Sequence, residues 1–228
     1  MRVKKEIVDF HAHILPGADH GSVSVETSLF QIYSAIEMGV SRIIATPHFY
    51  PHRHTVNAFI KRRDEAFLLL KDHLPFGVEI KLGAEVLICP GIENLPGLEK
   101  LFINGTNALL LELPFDNFDE AYCESVREMT SRGIDVIIAH ADRYRAFNIE
   151  KLLRSGATLQ LNASSLLGLV KRKDVYSWLD RGAVVALGSD IHGEDKKAYA
   201  KFAKAIYAMG DRVDYIKEQS DFIWKNSK

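Results

Sequence analysis

Side chains that can bind metal ions lie at regular places in this 228-residue chain. His11 and His13 are two residues apart, so both would point to the same face of a β-strand and could chelate one ion. Asp190 and His192 repeat this spacing near the other end of the chain. Mixed imidazole and carboxylate ligands are typical of Mn, Fe or Zn rather than of Mg or Ca.

Seven short apolar runs predict the strands that must position these side chains. They are Val3–Phe10, Arg42–Thr46, Val78–Val86, Ala108–Leu113, Asp135–Ala139, Thr158–Leu161 and Val184–Leu187. Several runs are almost entirely apolar, which is typical of parallel strands covered by helices. Six of these seven runs end at side chains that can bind a metal ion. The exception is Thr158–Leu161, which is followed by Asn162. In chain order, these side chains are His11 and His13, His48, Glu85, Glu112, His140, and Asp190 with His192.

Helical patterns alternate with the runs. They cover Val25–Met38, Asn57–His73, Asp119–Arg132, Asn148–Arg154, Lys171–Arg181, Lys196–Met209 and Asp214–Lys225. This alternation predicts an α/β protein, either a doubly wound sheet or a closed β/α barrel. The GxGxxG and GxxxxGK[ST] motifs are absent, which disfavours a nucleotide-binding doubly wound sheet.

A parallel barrel would bring all of these strand ends to one rim, where such barrels place their active sites. Five imidazoles and three carboxylates would then meet in one pocket. One zinc ion takes about three or four protein ligands, so the set predicts two or three ions with a bridging carboxylate. Closely spaced ions favour in-line displacement at phosphorus or hydrolysis of an acyl bond.

The composition excludes several other classes of protein. The net charge of −1, with 47% hydrophobic and 26% charged residues, is typical of a globular protein. A broad nucleic-acid surface would need a basic excess, so no nucleic-acid partner is expected. No apolar stretch approaches ~18 residues, and MRVKKEIVDFHAH lacks the apolar region of a signal peptide. The two cysteines make no disulfide framework. We expect one cytoplasmic domain over residues 1–228, without membrane insertion.

Six segments carry a resemblance to a known family. HAHILPGADHG, ATPH, GAEV, ELPF, IAHADRY and GSDIH occur in this order between residues 9 and 193. The chain resembles the PHP (polymerase and histidinol phosphatase) family, and most closely its branch of capsular-polysaccharide tyrosine phosphatases, whose first motif reads HxHILPxxDDG. The resemblance implies a distorted (β/α)7 TIM-like barrel and a metal-dependent phosphatase acting on the phosphorylated tyrosine tail of a bacterial tyrosine kinase. Manganese is the first expectation for the metal, with iron or zinc as alternatives.

The resemblance also implies three sets of metal ligands, and Glu85 belongs to two of them as a bridge. The first set is His11, His13, Glu85 and Asp190, the second is Asp19, His48 and His192, and the third is Glu85, Glu112 and His140. Asp19 lies in a loop and is implied by the resemblance alone. Arg143 matches the arginine of the family's HPER motif, which binds phosphate.

The chain departs from the family pattern beside these ligands. Where the family has DDG, this chain has Asp19-His20-Gly21, and where the family has HPER, it has His140-Ala141-Asp142-Arg143. The position of the family's second phosphate-binding arginine is occupied here by Lys197. Lysine supplies charge but not the bidentate fork of arginine. All three changes lie where the substrate and leaving group would bind, so they bear on the substrate more than on the reaction. Asp142 and His20 are the candidates for a general acid.

The implied mechanism is in-line attack on phosphorus by a metal-bridging hydroxide. Arg143 would stabilise the charge on the equatorial oxygens. The loop FYPHRH at residues 49–54 follows the second predicted strand. We interpret it as a substrate-facing lip in which Tyr50 stacks on an aromatic ring and Arg53 attracts phosphate. An exposed loop without such a role is the alternative interpretation.

Three other functions stay open at this point. A histidinol-phosphate phosphatase, or another small-molecule phosphatase, would use the same chemistry. An amidohydrolase-type enzyme also begins with HxH, but it prefers eight strands and commonly has a bridging lysine where this chain has Glu112. A catalytically silent PHP module for binding would be expected to lose ligands, and here every ligand position is filled.

Overall fold

The computed structural model describes residues 7–168 and 172–225, and its strands are all parallel. The strands are β1 Val8–Ala12, β2 Arg42–Ala45, β3 His48–Phe49, β4 Glu79–Leu82, β5 Glu85–Leu87, β6 Ala108–Glu112, β7 Asp135–Ile138, β8 Thr158–Asn162 and β9 Val184–Gly188. One sheet has the order β1-β2-β4 and the other has the order β3-β5-β6-β7-β8-β9.

Each predicted helix has a counterpart among the described residues. The helices are α1 Val25–Glu37, α2 Val56–Lys71, α3 Ala121–Ser131, α4 Ala146–Arg154, α5 Lys173–Asp180, α6 Ala198–Met209 and α7 Arg212–Lys225. Residues 3–6 of the first predicted strand and residue 171 of the fifth predicted helix lie outside the described residues. The Ser24 hydroxyl accepts a hydrogen bond from the Thr27 amide and so caps the start of α1.

Two of the predicted strand paths are interrupted. The run Val78–Val86 forms β4 and β5 instead of one strand. The run Arg42–Thr46 forms β2, and a further short strand, β3, follows it. Pro47 lies between β2 and β3, where a residue without a backbone N–H cannot donate to a ladder. Gly83 lies between β4 and β5, and a Cβ there would be 3.2 Å from the Ile103 side chain. Because β2 pairs with β4 and β3 pairs with β5, the two breaks coincide.

The nine strands therefore occupy seven positions, which are β1, β2/β3, β4/β5, β6, β7, β8 and β9. The first and last positions also meet, since the Asp190 amide donates to the His11 carbonyl over 2.8 Å. The His13 amide similarly donates to the Ile191 carbonyl over 3.3 Å. The predicted α/β fold of seven parallel strand positions is confirmed.

Helix α7 packs near the amino ends of the strands. Its Trp224 is buried in an apolar cluster with strand residues such as Phe10 and Ile137. The Lys81 ammonium donates to the Trp224 carbonyl over 2.6 Å, and Arg42 forms an ion pair with Asp221 at 2.7 Å. In such folds the opposite, carboxyl ends of the strands are free to hold a site. Within residues 7–168 and 172–225, no helix combines the length and apolar character needed to cross a bilayer.

Candidate metal centre

The carboxyl ends of the strands bring the predicted ligands together. Three groups have nitrogen and oxygen atoms that all lie within 4.8 Å of one another. They are His11, His13 and Glu85; His48, Glu85 and Glu112; and His13, His48 and His192. These groups come from β1 and the residue after it, from β3, β5 and β6, and from the segment after β9. Residues far apart in sequence thus share one pocket because the parallel strands end on one side.

Glu85, at the start of β5, lies at the middle of this arrangement and is 1% exposed. Its Oε2 is 3.2 Å from Nε2 of both His11 and His13 and 2.9 Å from Nδ1 of His48. Its Oε1 is 2.7 Å from Nε2 of His140. Burial alone would raise the pKa of Glu85, but the positive charge of His11 and the hydrogen bond with His140 hold it well below its usual value.

Two buried atoms at the centre have no hydrogen-bond partner among the described residues, and these are Glu85 Oε2 and His48 Nδ1. They lie close to each other but not in hydrogen-bond geometry. Leaving such atoms unpaired in the interior is costly, and a cation between them would remove that cost. Imidazole nitrogens and carboxylate oxygens in this mixture fit a divalent transition metal.

Hydrogen bonds at the far ring nitrogens orient several imidazoles. Nδ1 of His13 is 2.7 Å from Asp19 Oδ2, and Nδ1 of His140 is 3.1 Å from the Tyr144 hydroxyl. Such partners select the ring tautomer and leave Nε2 directed at the metal. Burial alone would lower the pKa of His13, but its hydrogen bond to Asp19 and the negative charges of Asp19 and Glu85 raise it to about 10.

Asp19 acts in this structure as a partner of ligands. Its Oδ2 also accepts the His48 amide at 3.0 Å, and its Oδ1 accepts the Gly21 amide at 2.8 Å. Burial opposes ionisation, but the hydrogen bond and charge of His13 hold the pKa of Asp19 well below its usual value. The three ligand groups do not include Asp19, and its direct binding of metal stays a prediction.

The remaining acidic ligands differ in their electrostatics. Burial and the neighbouring charge of Glu85 raise the pKa of Glu112 to about 7. Burial would also raise the pKa of Asp190, but the positive charges of His11, His13 and Arg143 lower it to about 2. A carboxylate held in its charged form is the better hard ligand, and the binding of metal by Asp190 stays a prediction.

Two of the predicted ligand positions carry backbone strain. His140 has φ of 32° and Asp190 has φ of 52°, in the left-handed region that non-glycine residues seldom adopt. Both lie just after a strand, where the chain must turn sharply while directing a side chain into the pocket. Strain of this kind clusters at functional sites because the surrounding structure enforces it.

The predicted phosphate and substrate residues adjoin the centre. The Arg143 guanidinium donates to Asp190 Oδ2, and its side chain is 40% exposed. The Tyr50 ring stacks at 5.3 Å on the ring of His48, and the Arg53 guanidinium lies 5.3 Å from the Tyr50 ring. Arg143 and the loop of residues 49–54 are therefore both joined by contacts to ligands of the centre.

The other three predicted residues have different surroundings. The His20 ring is exposed and lies 5.0 Å from His48 and 4.7 Å from His192, at the mouth of the centre. Asp142 is buried, its Oδ1 accepts the Asn162 amide at 2.8 Å, and burial raises its pKa. Lys197 is exposed just before α6, where its amide donates to Asp195. Its predicted contact with phosphate stays a prediction.

Sequence reasoning missed two residues that touch the ligands. Tyr144 lies in the IAHADRY segment and bonds to His140, and Gln160 lies in the middle of β8 and is fully buried. A signal for Gln160 was present, because a polar amide within the apolar strand TLQLN is costly unless it is paired.

Parallel strands with a cluster of imidazoles and carboxylates at their carboxyl ends define the class of TIM-barrel-like, metal-dependent hydrolases. Within that class, the chain belongs to the capsular polysaccharide synthesis CpsB/CapC family, whose model matches residues 7–227. It is 25% identical over 237 residues to the tyrosine-protein phosphatase YwqE of Bacillus subtilis (strain 168), covering 96% of this chain and 92% of the relative. The predicted branch of capsular-type tyrosine phosphatases is confirmed.

Solved structures support the same fold. One comes from work on YwqE from Bacillus subtilis and CpsB from Streptococcus pneumoniae, described as unique metal-dependent tyrosine phosphatases. It matches with a TM-score of 0.80 and 22% identity, covering 97% of this chain and 96% of the other. Histidinol phosphate phosphatase from Lactococcus lactis subsp. lactis, complexed with zinc, L-histidinol and phosphate, matches with a TM-score of 0.59 and 14% identity. That match covers 90% of this chain and 94% of the other.

Proposed function

We propose that this protein is a metal-dependent protein-tyrosine phosphatase. The observation that carries the proposal is the buried Glu85 carboxylate among four imidazoles, close to the exposed guanidinium of Arg143. Such a centre combines metal ligands with a group that recognises phosphate. The family relative named above as a tyrosine-protein phosphatase supports the same substrate class.

Two or three divalent transition-metal ions are proposed for the centre, with manganese first and iron or zinc as alternatives. The residues that would hold them are His11, His13, Asp19, His48, Glu85, Glu112, His140, Asp190 and His192. When bound, the ions supply the Lewis acidity that makes water a nucleophile near neutral pH and offsets the charge of the phosphoryl group.

Arg143 is proposed to bind the phosphoryl group. Its guanidinium is planar and presents paired donors, which match two phosphate oxygens. Its Nη2 donates to Asp190 Oδ2, which holds the guanidinium beside the proposed metal ligands. The exposed part of the side chain leaves donors available to a substrate.

The loop of residues 49–54 is proposed to receive the aromatic ring of the substrate. Tyr50 offers a ring that is already anchored on His48, and Arg53 lies against it. Burial and the positive charges of Arg62 and Arg53 lower the pKa of His54, so this loop has an electropositive environment. Such an environment attracts a phosphorylated substrate. Kinetics of Tyr50→Ala with aryl and alkyl phosphates test the idea, and equal losses on both would contradict stacking.

His20 is the better placed of the two candidates for a general acid. It is exposed at the mouth of the centre, whereas the carboxylate of Asp142 is buried and already accepts the Asn162 amide. The requirement is modest, because a tyrosinate has an ordinary pKa of ~10 and leaves more easily than an alkoxide. A pH–rate profile that is unchanged in His20→Ala would exclude this role.

The proposed partner is the phosphorylated tyrosine tail of a bacterial tyrosine kinase. A flexible tail suits a site at the rim of the strands, because it can present one side chain to the centre. One domain spanning residues 1–228 and a cytoplasmic location complete the proposal.

Phosphate release tests the function directly. The substrates are p-nitrophenyl phosphate, a phosphotyrosine peptide and histidinol phosphate, each with Mn²⁺ and after chelation. We expect metal-dependent turnover that favours the peptide and falls in Arg143→Ala but not in Arg127→Ala, a control at an exposed arginine of α3. A preference for histidinol phosphate would replace the substrate but keep the chemistry. No turnover by a metal-loaded protein would overturn the proposal.

A further inference from the structure

Strand β8 lies among the strands that carry ligands, yet its sequence TLQLN contains no histidine, cysteine or carboxylate. Its contribution to the centre is Gln160, which is fully buried. Gln160 Oε1 accepts the backbone amide of His140 at 2.7 Å and lies 3.1 Å from Nδ1 of His11. One amide oxygen therefore faces two different metal-ligand residues.

These contacts determine the ring tautomer of His11. A backbone N–H can only donate, so the Gln160 atom that faces the His140 amide must be the carbonyl oxygen. That oxygen can only accept, so Nδ1 of His11 must carry a proton to bond with it. The lone pair of neutral His11 is then on Nε2, the atom that lies 3.2 Å from Glu85 Oε2 at the centre.

The other end of the same amide reaches a third ligand. Gln160 Nε2 donates to Asn162 Oδ1 over 3.3 Å, and Asn162 Nδ2 donates to Asp190 Oδ2 over 3.0 Å. Each side-chain amide accepts through its oxygen and donates through its nitrogen. The hydrogen bonds therefore all run in one direction, from His11 and the His140 amide through Gln160 and Asn162 to Asp190. The β8 side chains thus connect His11 in β1 with His140 after β7 and Asp190 after β9.

Gly188, at the end of β9, provides the space for this arrangement. A Cβ at this position would lie 2.6 Å from Gln160 Nε2 and 2.6 Å from the Cβ of His11. Both distances are far shorter than a van der Waals contact, so any larger residue would displace Gln160 or His11. Glycine here serves close packing, and its φ is not in the left-handed region.

We infer that Gln160 is a positioning residue of the metal centre, which sets the tautomer of His11 and couples it to His140 and Asp190. The inference rests on the proposed metal centre. Partners of this kind commonly change metal affinity by ~10–100-fold when they are removed. A residue that only stabilised the fold would lower the melting temperature without altering the ligand field of a bound ion.

The test compares Gln160→Leu, Gln160→Glu and Leu161→Ala. Leu161 is the next residue of β8 and is fully buried in the apolar core, so its truncation destabilises the same strand without touching a ligand. The measurements are the Mn²⁺ dissociation constant by chelator competition, the visible absorption of the Co²⁺-loaded protein, and the melting temperature without metal. Gly188→Ala is a second variant, which crowds both the Gln160 amide and His11.

We expect Gln160→Leu to weaken Mn²⁺ binding by about 10–100-fold and to change the Co²⁺ spectrum. Gln160→Glu keeps an acceptor for both donors and should recover most of the affinity, and Gly188→Ala should resemble Gln160→Leu. Leu161→Ala should lower the melting temperature alone. Wild-type affinity and spectrum in Gln160→Leu, or equal weakening in Leu161→Ala, would overturn the inference. A wild-type protein that binds no metal would instead overturn the proposed function on which it rests.

Discussion

Replacing Glu85 with glutamine removes one negative charge while keeping the shape of the side chain. The carboxylate lies 2.7 to 3.2 Å from four imidazole nitrogens, those of His11, His13, His48 and His140. A cation that shares these imidazoles must therefore lie close to the Glu85 oxygens. The variant tests whether this carboxylate is the bridge of the metal centre.

The size of the effect follows from the charges. Two unit charges ~4 Å apart attract by about 4 kcal/mol at an effective dielectric constant of ~20, and a divalent ion doubles this value. Desolvation of the buried carboxylate offsets part of the gain, and we take the offset as about half. The remaining loss of about 4 kcal/mol corresponds to roughly 10³-fold weaker binding of the metal.

The assay is the Mn²⁺ dissociation constant by chelator competition, with the bound metal counted by elemental analysis after desalting. Glu79→Gln is the matched control, because Glu79 is an exposed glutamate at the start of β4, on the same strand position. It makes the same change of charge far from the pocket and should leave binding unchanged. Melting curves of the metal-free proteins show whether either variant loses its fold.

One result would refute this reasoning. If folded Glu85→Gln retained wild-type metal content and affinity, Glu85 would not be a ligand, and its unpartnered Oε2 would need another explanation. Weakening by the same factor in Glu79→Gln would show a general effect of net charge instead of a bridging carboxylate.

Three further predictions concern other parts of the molecule. Tyr144→Phe removes the hydroxyl bonded to His140 and should cost about 1–3 kcal/mol of unfolding free energy in denaturant titrations; unchanged stability would contradict it. Arg143→Lys keeps the charge but loses the fork, so kcat/KM on a phosphotyrosine peptide should fall by ~10–100-fold; full activity would exclude the phosphate contact. Burial alone would raise the pKa of Asp221, but hydrogen bonds from Lys217 and Arg42 hold it below 3.8. The ionised Asp221 carboxylate therefore stabilises the fold above that pH, and this stabilisation is lost as the pH falls through the lowered pKa. Asp221→Asn should flatten the acid side of the plot of unfolding free energy against pH, and an unchanged acid side would refute this.

The strand pattern shows how far local sequence predicts this fold. Seven apolar runs alternating with amphipathic segments predicted seven parallel positions, because buried parallel strands must be apolar on both faces. The same rule missed the breaks at Pro47 and Gly83, since an apolar run looks alike whether or not its ladder is continuous. Whether those breaks coincide depends on the register of β2 against β4 and of β3 against β5.

The residues of the candidate site were also only partly predictable from local sequence. His11, His13 and Glu112 could be proposed as ligands from sequence because the polarity of a parallel strand tells which of its ends meets the rim. Glu85 was predicted on the same ground, but the structure places it at the start of β5, after the break at Gly83. The role of Asp19 as a hydrogen-bond partner of His13 could not be proposed in this way. It depends on how a loop folds back onto β1, which no periodicity describes.

The sequence by itself determined which chemical groups reach the rim, since residue type and position along a strand are both local properties. Only the tertiary structure decided which atoms of those groups face one another. His11 and Gln160 are 149 residues apart, and their contact exists because β8 pairs with β9, and the segment after β9 lies beside β1. Hydrogen bonds are directional over about 3 Å, so they depend on strand order and register, which are properties of the whole chain.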